Sequence, residues 1–210
     1  MSDTERPPGF PGPVRRRHPE DFDASYTGTP PWDIGRPQAA FLELAEAGVL
    51  RGRVLDVGCG TGEHALMAAG RGLEATGIDT APTAIAIAQD KARERGLTAR
   101  FLVWNALQLG ALDNQFDTVL DCGLFHVFED DERAQFVDSL RAALTTGGGY
   151  HMLCFSDRQP GDWGPRRVTQ DEIRASFSER WQVDSIDAAK IDINTDPNGA
   201  LAWRASIRRT

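Results

Sequence analysis

The stretch Val54-Leu55-Asp56-Val57-Gly58-Cys59-Gly60-Thr61-Gly62 constrains this chain more than any other, because an apolar run breaks there into alternating glycines just before a helical pattern. A short run of Val, Leu and Val reads as a strand buried on both faces, the kind found in parallel sheets. Glycines at 58, 60 and 62 let the backbone turn sharply and approach a ligand with no Cβ in the way. A helix starting near Glu63 would then direct its unpaired N–H groups at that ligand.

Two details narrow the ligand. A dinucleotide fingerprint, G-x-G-x-x-G, needs its third glycine where this chain has Glu63, so the stretch reads G-x-G-x-G and counts against NAD. Asp56 ends the strand, where a carboxylate repels a pyrophosphate but accepts hydrogen bonds from an ammonium group. A ligand with an amino-acid end fits better. With these residues in place, the V-L-D-x-G-C-G-T-G pattern closely resembles motif I of the class I S-adenosylmethionine-dependent methyltransferases.

The chain of 210 residues suits one α/β domain with decorations. No apolar run approaches the ~20 residues of a membrane span, and the polar, proline-rich start is unlike a signal peptide, so a cytoplasmic protein is expected. A formal charge of −8 disfavours a nucleic-acid partner, since that interface needs a basic face. The one basic cluster, Arg15-Arg16-Arg17, lies among prolines. Cys59, Cys122 and Cys154 each fall at or near the end of an expected strand. They show no metal-ligand spacing, so free thiols and no metal are expected.

Residues 1–20, with Pro7, Pro8, Pro11, Pro13 and Pro19, read as a loosely ordered arm. Residues 21–48 read as an irregular lid segment followed by a first helix, and 49–210 as the main domain. Tyr26 and Trp32 lie in a stretch rich in turn residues. They either plug the bottom of the domain or cover the ligand. Pro37 suits the first turn of the helix that carries Phe41 and Leu44, and Gly48 would end it.

Strands are expected at 53–57, 74–78, 99–104, 116–121 and 150–155, alternating with helices, with Gly147-Gly148-Gly149 closing the last of these helices. Thr80 is placed to cap a helix with Pro82 in its first turn. Thr169 with Glu172 forms a capping-box signature. Two final alternating runs, 181–193 and 200–208, read as an antiparallel pair. The expected fold is an α/β, Rossmann-like, doubly wound, mostly parallel sheet with a C-terminal antiparallel strand pair and an N-terminal lid.

In such a sheet, ligands sit beyond the carboxyl ends of the strands, and Asp56, Asp79, Asn105, Asp121 and His126 all follow a strand. Asp79 lies about 20 residues beyond Asp56, where an acidic side chain meets a ribose. The resemblance, covering about residues 50 to 210, implies roles for the cofactor S-adenosylmethionine. Gly58, Cys59, Gly60, Thr61 and Gly62 would hold its methionine half, with the main chain at Asp121 to Gly123. Asp79 would hold the ribose, Thr80 would lie beside the adenine, and Asn105 with Ala106 would bond the adenine edge. Many members carry Asp where this chain has Asn105, and an amide can serve as well.

The pattern P-P-W-D-I-G-R-P-Q, read at Pro30 to Gln38, is similar to the small-molecule branch that holds thiopurine-type and tellurite-type enzymes. It also resembles actinobacterial enzymes that methylate hydroxylated quinones and heterocyclic toxins. This likeness implies that Trp32 closes over the cofactor, with Tyr26 and Arg36 nearby, although Arg36 also reads as an exposed charge.

Methyl transfer from a sulfonium is an in-line displacement that needs aim and exclusion of water. A phenol of ordinary pKa, about 10, is only about one part in a thousand ionised at pH 7, a deficit of ~4 kcal/mol. His126 has the right chemistry for a general base, or else packs between Phe125 and Phe128. An acidic hydroxyl would need no base. Tyr26, Trp32, Phe125, His126, Phe128, Phe155 and Trp163 are the candidate walls of an acceptor pocket, with core packing as the alternative for the phenylalanines. The expectation is O-methylation of a small aromatic or heterocyclic hydroxyl. Transfer to a thiol is the near rival, and an NAD oxidoreductase or a non-catalytic cofactor-binding module are the distant ones.

Overall fold

The computed structural model describes residues 18–210; the expected arm falls mostly outside the described residues. Seven strands form one sheet in the order β3-β2-β1-β4-β5-β7-β6. β1 (Arg53–Val57), β2 (Glu74–Asp79), β3 (Ala99–Val103), β4 (Phe116–Cys122) and β5 (Leu144–Phe155) run parallel. β6 (Trp181–Ile193) and β7 (Asp196–Arg209) form a long antiparallel hairpin whose second strand pairs with β5.

Side chains alternate across each strand, so the sheet has two apolar faces. Val54, Leu120 and Leu153 pack with Phe41 of α2 (Ala39–Glu46), Leu66 of α3 (Glu63–Gly70) and Ile85 of α4 (Pro82–Glu94). On the other face Leu55, Val57 and Val119 pack with Phe136 and Leu140 of α5 (Asp130–Ala143) and Ile173 of α6 (Gln170–Ser176). β1 thus lies central and β4 beside it, and the strand order reverses between them. That is the position at which open α/β sheets bind ligands.

The structure moves several expected boundaries. Residues Pro19–Ser25 form a helix, α1, where an irregular segment was expected. Pro19 at the first helical position has the right φ and needs no N–H, and Asp21 bonds the His18 N–H. Pro37 sits just before α2, whose N-cap is Gln38. Gly147, Gly148 and Gly149 belong to β5 rather than to a helix end, at a register shift opposite Phe116 and Thr118. A glycine run in a strand commonly marks such an irregularity. The capping box of Thr169 and Glu172 forms as expected, with Glu172 N–H donating to Thr169 Oγ1 at 3.1 Å. Among the described residues no helix is long and apolar enough to cross a membrane.

Candidate functional site

The turn after β1 is built as the glycine spacing dictates. Gly58, Gly60 and Gly62 have φ of +64, +52 and +86, in the left-handed region that other residues avoid. Cys59 N–H donates to the Ile78 carbonyl at 2.8 Å and ties the turn to β2. The Cys59 thiol is buried in the core against Gly77, so only its main chain faces the site. A Cβ on Gly62 would lie 2.7 Å from the Phe101 ring and 2.8 Å from Ala88. The turn is therefore pressed directly onto α4 and β3.

Three carboxylates surround it. Asp56 is 1% exposed; Oδ2 accepts the Ala65 N–H at 3.1 Å, and Oδ1 has no hydrogen-bond partner. Burial pushes its carboxyl well above the usual range, and the charges of Asp121 and Asp79 add to the push. His64 stands 3.8 Å from that free oxygen through Nδ1, while its Nε2 accepts the Gln38 N–H. Burial pushes His64 down to about 4, so the ring is neutral with its proton on Nδ1, toward Asp56.

Asp79 receives the Gly60 N–H and the Ala81 N–H, both at 2.9 Å. Thr80, expected to cap α4, does not; the N-cap is Ala81, with no side-chain cap bond. Asp79 takes the Ala81 N–H instead, and Pro82 at the next position has none to satisfy. Asn105 Oδ1 accepts the Leu107 N–H at 2.9 Å and opens a 3₁₀ helix, Ala106–Ala111, which leaves the amide nitrogen as the group available to a ligand. The Ala106 carbonyl accepts from Ser139 Oγ.

Asp121 serves the fold with its side chain. It is fully buried and accepts Leu124 N–H at 2.7 Å, Phe125 N–H at 3.1 Å and Tyr150 O–H at 2.6 Å. Burial raises its carboxyl to about 7 against the pull of those donors. Its side chain is thereby taken up within the fold, which leaves its main chain as the part that could border a ligand at the carboxyl edge.

The aromatic lid covers the glycine turn. Trp32 Nε1 donates to Tyr26 Oη at 3.0 Å, and that oxygen lies 2.8 Å from where a Gly60 Cβ would be. Trp32 also meets Phe22 edge-on, at 6.4 Å between centroids. Polar contacts fix the segment: Thr61 Oγ1 donates to Asp33, Lys91 Nζ donates to Thr61 Oγ1, and Asp23 receives the Thr83 N–H of α4. From the far end of the chain, the β6–β7 turn reaches the same lid. Gln38 exchanges two hydrogen bonds with the Asp192 main chain, and Asn194 donates to the Pro31 and Pro30 carbonyls. Arg36 pairs with Asp192 at 2.8 Å but is 57% exposed, as the alternative reading of that residue had it.

The expected acceptor walls divide. Phe125 is fully buried and stacks on Phe177, so it is core; Phe128 is half-buried against Phe136, and Phe155 and Trp163 are themselves buried in the core of the other sheet face. Asp121 draws the Phe125 backbone inward and takes the ring with it. His126, Phe155 and Trp163 do form one cluster, with centroids 5.2 and 5.9 Å apart along the series. Arg167 lies over both Phe155 and Trp163 and holds the loop by donating to the carbonyls of Gln159, Gly161 and Trp163.

The structure argues against His126 as a general base. Its Nδ1 accepts the Phe155 N–H at 2.9 Å, so the neutral ring carries its proton on Nε2 and has no lone pair to offer. Burial, with the charges of Arg167 and Arg166, pushes it down to about 3.

The glycine turn, Asp56, Asp79 and the Tyr26–Trp32 lid thus meet at one edge, with Asn105 and His126 at the ends of neighbouring strands. Asp33 and Gln38 lie inside the P-P-W-D-I-G-R-P-Q pattern and could have been singled out from it. Asp192 and Asn194 carry no such signal, because only the folded hairpin brings them to the lid. A cavity of about 560 Å³, lined by Ala69, Leu73, Leu97 and Arg100 among others, opens at the opposite edge. It contains none of Asp56, Asp79 and Asp121, and it is not the site that open sheets use.

Comparison with known proteins bears on this arrangement. Residues 54–148 match the family described as "Methyltransferase domain". A 2-heptyl-1-hydroxyquinolin-4(1H)-one methyltransferase of Mycobacteroides abscessus is 39% identical over 186 residues, covering 83% of this chain and 82% of its own length. A probable thiol methyltransferase of Arabidopsis thaliana is 28% identical, covering 69% of this chain and 65% of that protein. A solved structure from work on the conversion of a disulfide bond into a thioacetal group during echinomycin biosynthesis is 39% identical. It superposes with a TM-score of 0.85 over 91% of this chain and 93% of that one.

Proposed function

The chain belongs to the class I S-adenosylmethionine-dependent methyltransferases, in their small-molecule branch, and from that premise we propose that it methylates a hydroxyl of a small aromatic or heterocyclic compound. The observation that carries the choice of acceptor is the 39% identity to a hydroxyquinolinone methyltransferase over most of both chains. The aromatic cluster of Phe155 and Trp163 and the lid of Tyr26 and Trp32 suit a flat acceptor.

The residues at the carboxyl edge fit S-adenosylmethionine. Asp56 keeps one buried oxygen without a partner, an acceptor suited to an ammonium group. The Gly58 to Gly62 backbone would lie along the methionine half, Asp79 would take the ribose hydroxyls, and Asn105 with Ala106 would meet the adenine edge. When bound, the cofactor would supply an electrophilic methyl group on a sulfonium to the acceptor oxygen.

The protein's own part is then to aim and to dry the site. Trp32 and Tyr26, fastened through Asp33, Gln38 and Asn194, would cover the turn and exclude water. The three free cysteines fit a reducing, cytoplasmic setting.

Transfer to sulfur is the second reading, favoured by the likeness to a probable thiol methyltransferase and to a structure from thioacetal biosynthesis. A methyl-transfer screen over 1-hydroxyquinolin-4-one, phenols, hydroxyquinones and thiols separates the two. Turnover is expected on the hydroxyl compounds; turnover on thiols alone would reject the first reading. Calorimetry should show binding of S-adenosylmethionine and none of NADH.

A further inference from the structure

We propose that the acceptor oxygen is bound as its anion, with the Nε2–H of His126 donating a hydrogen bond to it. The inference rests on the hydroxyl-acceptor reading above and specifies which hydroxyls the site favours.

Geometry fixes the donor. The Phe155 N–H of β5 occupies Nδ1 at 2.9 Å, and a backbone amide can only donate, so Nε2 carries the ring's proton. His126 is 6% exposed, and its Nε2 has no hydrogen-bond partner among the described residues. It lies 3.2 Å from the place a Cβ on Gly123 would take, just past the carboxyl end of β4. Gly123, with φ +84, is the residue that lets the ring come so close to that edge. A donor with no partner among the described residues therefore stands just past β4 on a ring that meets Phe155 edge-on, on the side where the sheet binds its ligands.

Electrostatics point the same way. The charged groups that act on the ring are Arg166 and Arg167, both from the segment between β5 and α6. Burial, the largest cause, and these cations make a proton on His126 costly; burial penalises an anion there as well, and Arg166 is paired with Glu172, so the attraction for an oxyanion comes from Arg167 and from the Nε2–H itself. An oxyanion needs no base, so no proton has to leave the acceptor during transfer. The site then selects acceptors by acidity, taking N-hydroxy heterocycles and hydroxyquinones ahead of simple phenols.

The test uses 4-nitrophenol, whose phenol and phenolate absorb at different wavelengths, titrated in complex with the protein and S-adenosylhomocysteine. Wild type is expected to favour the bound anion by about 10- to 100-fold, the strength of one hydrogen bond to a charge, and so to lower the ligand's pKa by one to two units. In His126→Asn the carbonyl can take Nδ1's place under Phe155 N–H, keeping the structural bond, but nothing reaches as far as Nε2. There the preference should fall to about threefold or less. His126→Gln, with an amide N–H nearer Nε2, should recover part of it.

A bound 4-nitrophenol that titrates at or above its solution value in wild type overturns the proposal. So does an Asn variant with the wild-type shift. Failure of both 4-nitrophenol and 1-hydroxyquinolin-4-one to bind instead overturns the hydroxyl-acceptor reading, so the two failures are distinguishable. In turnover, the pH dependence of kcat/KM should follow each acceptor's own ionisation and move with it across an acidity series.

Discussion

The glycine turn and the lid lie against each other, yet they are held by different means. The turn from Asp56 to Ala65 is bonded chiefly to its own neighbours and to the next strand, through Ala65 N–H, Gly60 N–H and Cys59 N–H. The lid is held by a hairpin from the other end of the chain, through Gln38 and Asp192, 154 residues apart. Damage to the turn should therefore reach the core, whereas damage to the lid should stay local.

Gly62→Ala is the strongest test of that contrast. The new Cβ would meet Phe101 and Ala88 within 3 Å, at a φ that L residues avoid. A loss of about 2 to 4 kcal/mol is expected in urea unfolding. A loss below about 0.5 kcal/mol would mean the turn is as yielding as the lid.

Asp121→Asn probes the support beneath the turn through pH. A carboxyl raised to about 7 from 3.8 keeps a proton in the folded state that the unfolded chain has released. Its contribution is fully present below about pH 4, fades as pH rises to about 7, and then stays flat, with a slope of at most about 1.4 kcal/mol per unit. His126, pushed down to about 3, acts in the opposite sense, losing stability as pH falls from 6.5. The variant should therefore gain on wild type between pH 4 and 7, a difference read from denaturation at each pH; parallel curves would remove Asp121 as the source.

On the lid side the effects are smaller. Gln38→Ala breaks two hydrogen bonds to the Asp192 main chain and should cost about 1 to 2 kcal/mol, seen as faster amide exchange in residues 26–38 with little change in the turn. Arg36→Ala removes an exposed pair and should cost no more than about 0.5 kcal/mol. If the Arg36 change loosened the lid as much as the Gln38 change, the main-chain bonds would not be the fastening.

Legibility in the sequence followed the same division. The strand, turn and helix from Val54 to Gly70, the placement of Asp79 at the end of β2, and the capping box at Thr169 depend on neighbours a few residues apart, and the structure has them where expected. His126 could be assigned to the right loop but not to the right chemistry, because its tautomer is set by an amide on β5. Phe125 resembled a pocket wall until the Asp121 bond placed its backbone, and Thr80 resembled a cap until Asp79 took the amide. Each of these outcomes depends on which partner reaches a shared donor or acceptor first in space.

The sequence by itself determined the parallel sheet, the glycine turn and the family to which they belong, since these follow from apolar periodicity and from backbone freedom written residue by residue. Only the tertiary structure decided which carboxylates stay free, which imidazole nitrogen bears the proton and what fastens the lid. Those are properties of pairs, and a hydrogen bond or a buried charge takes its state from a partner that folding alone brings within reach.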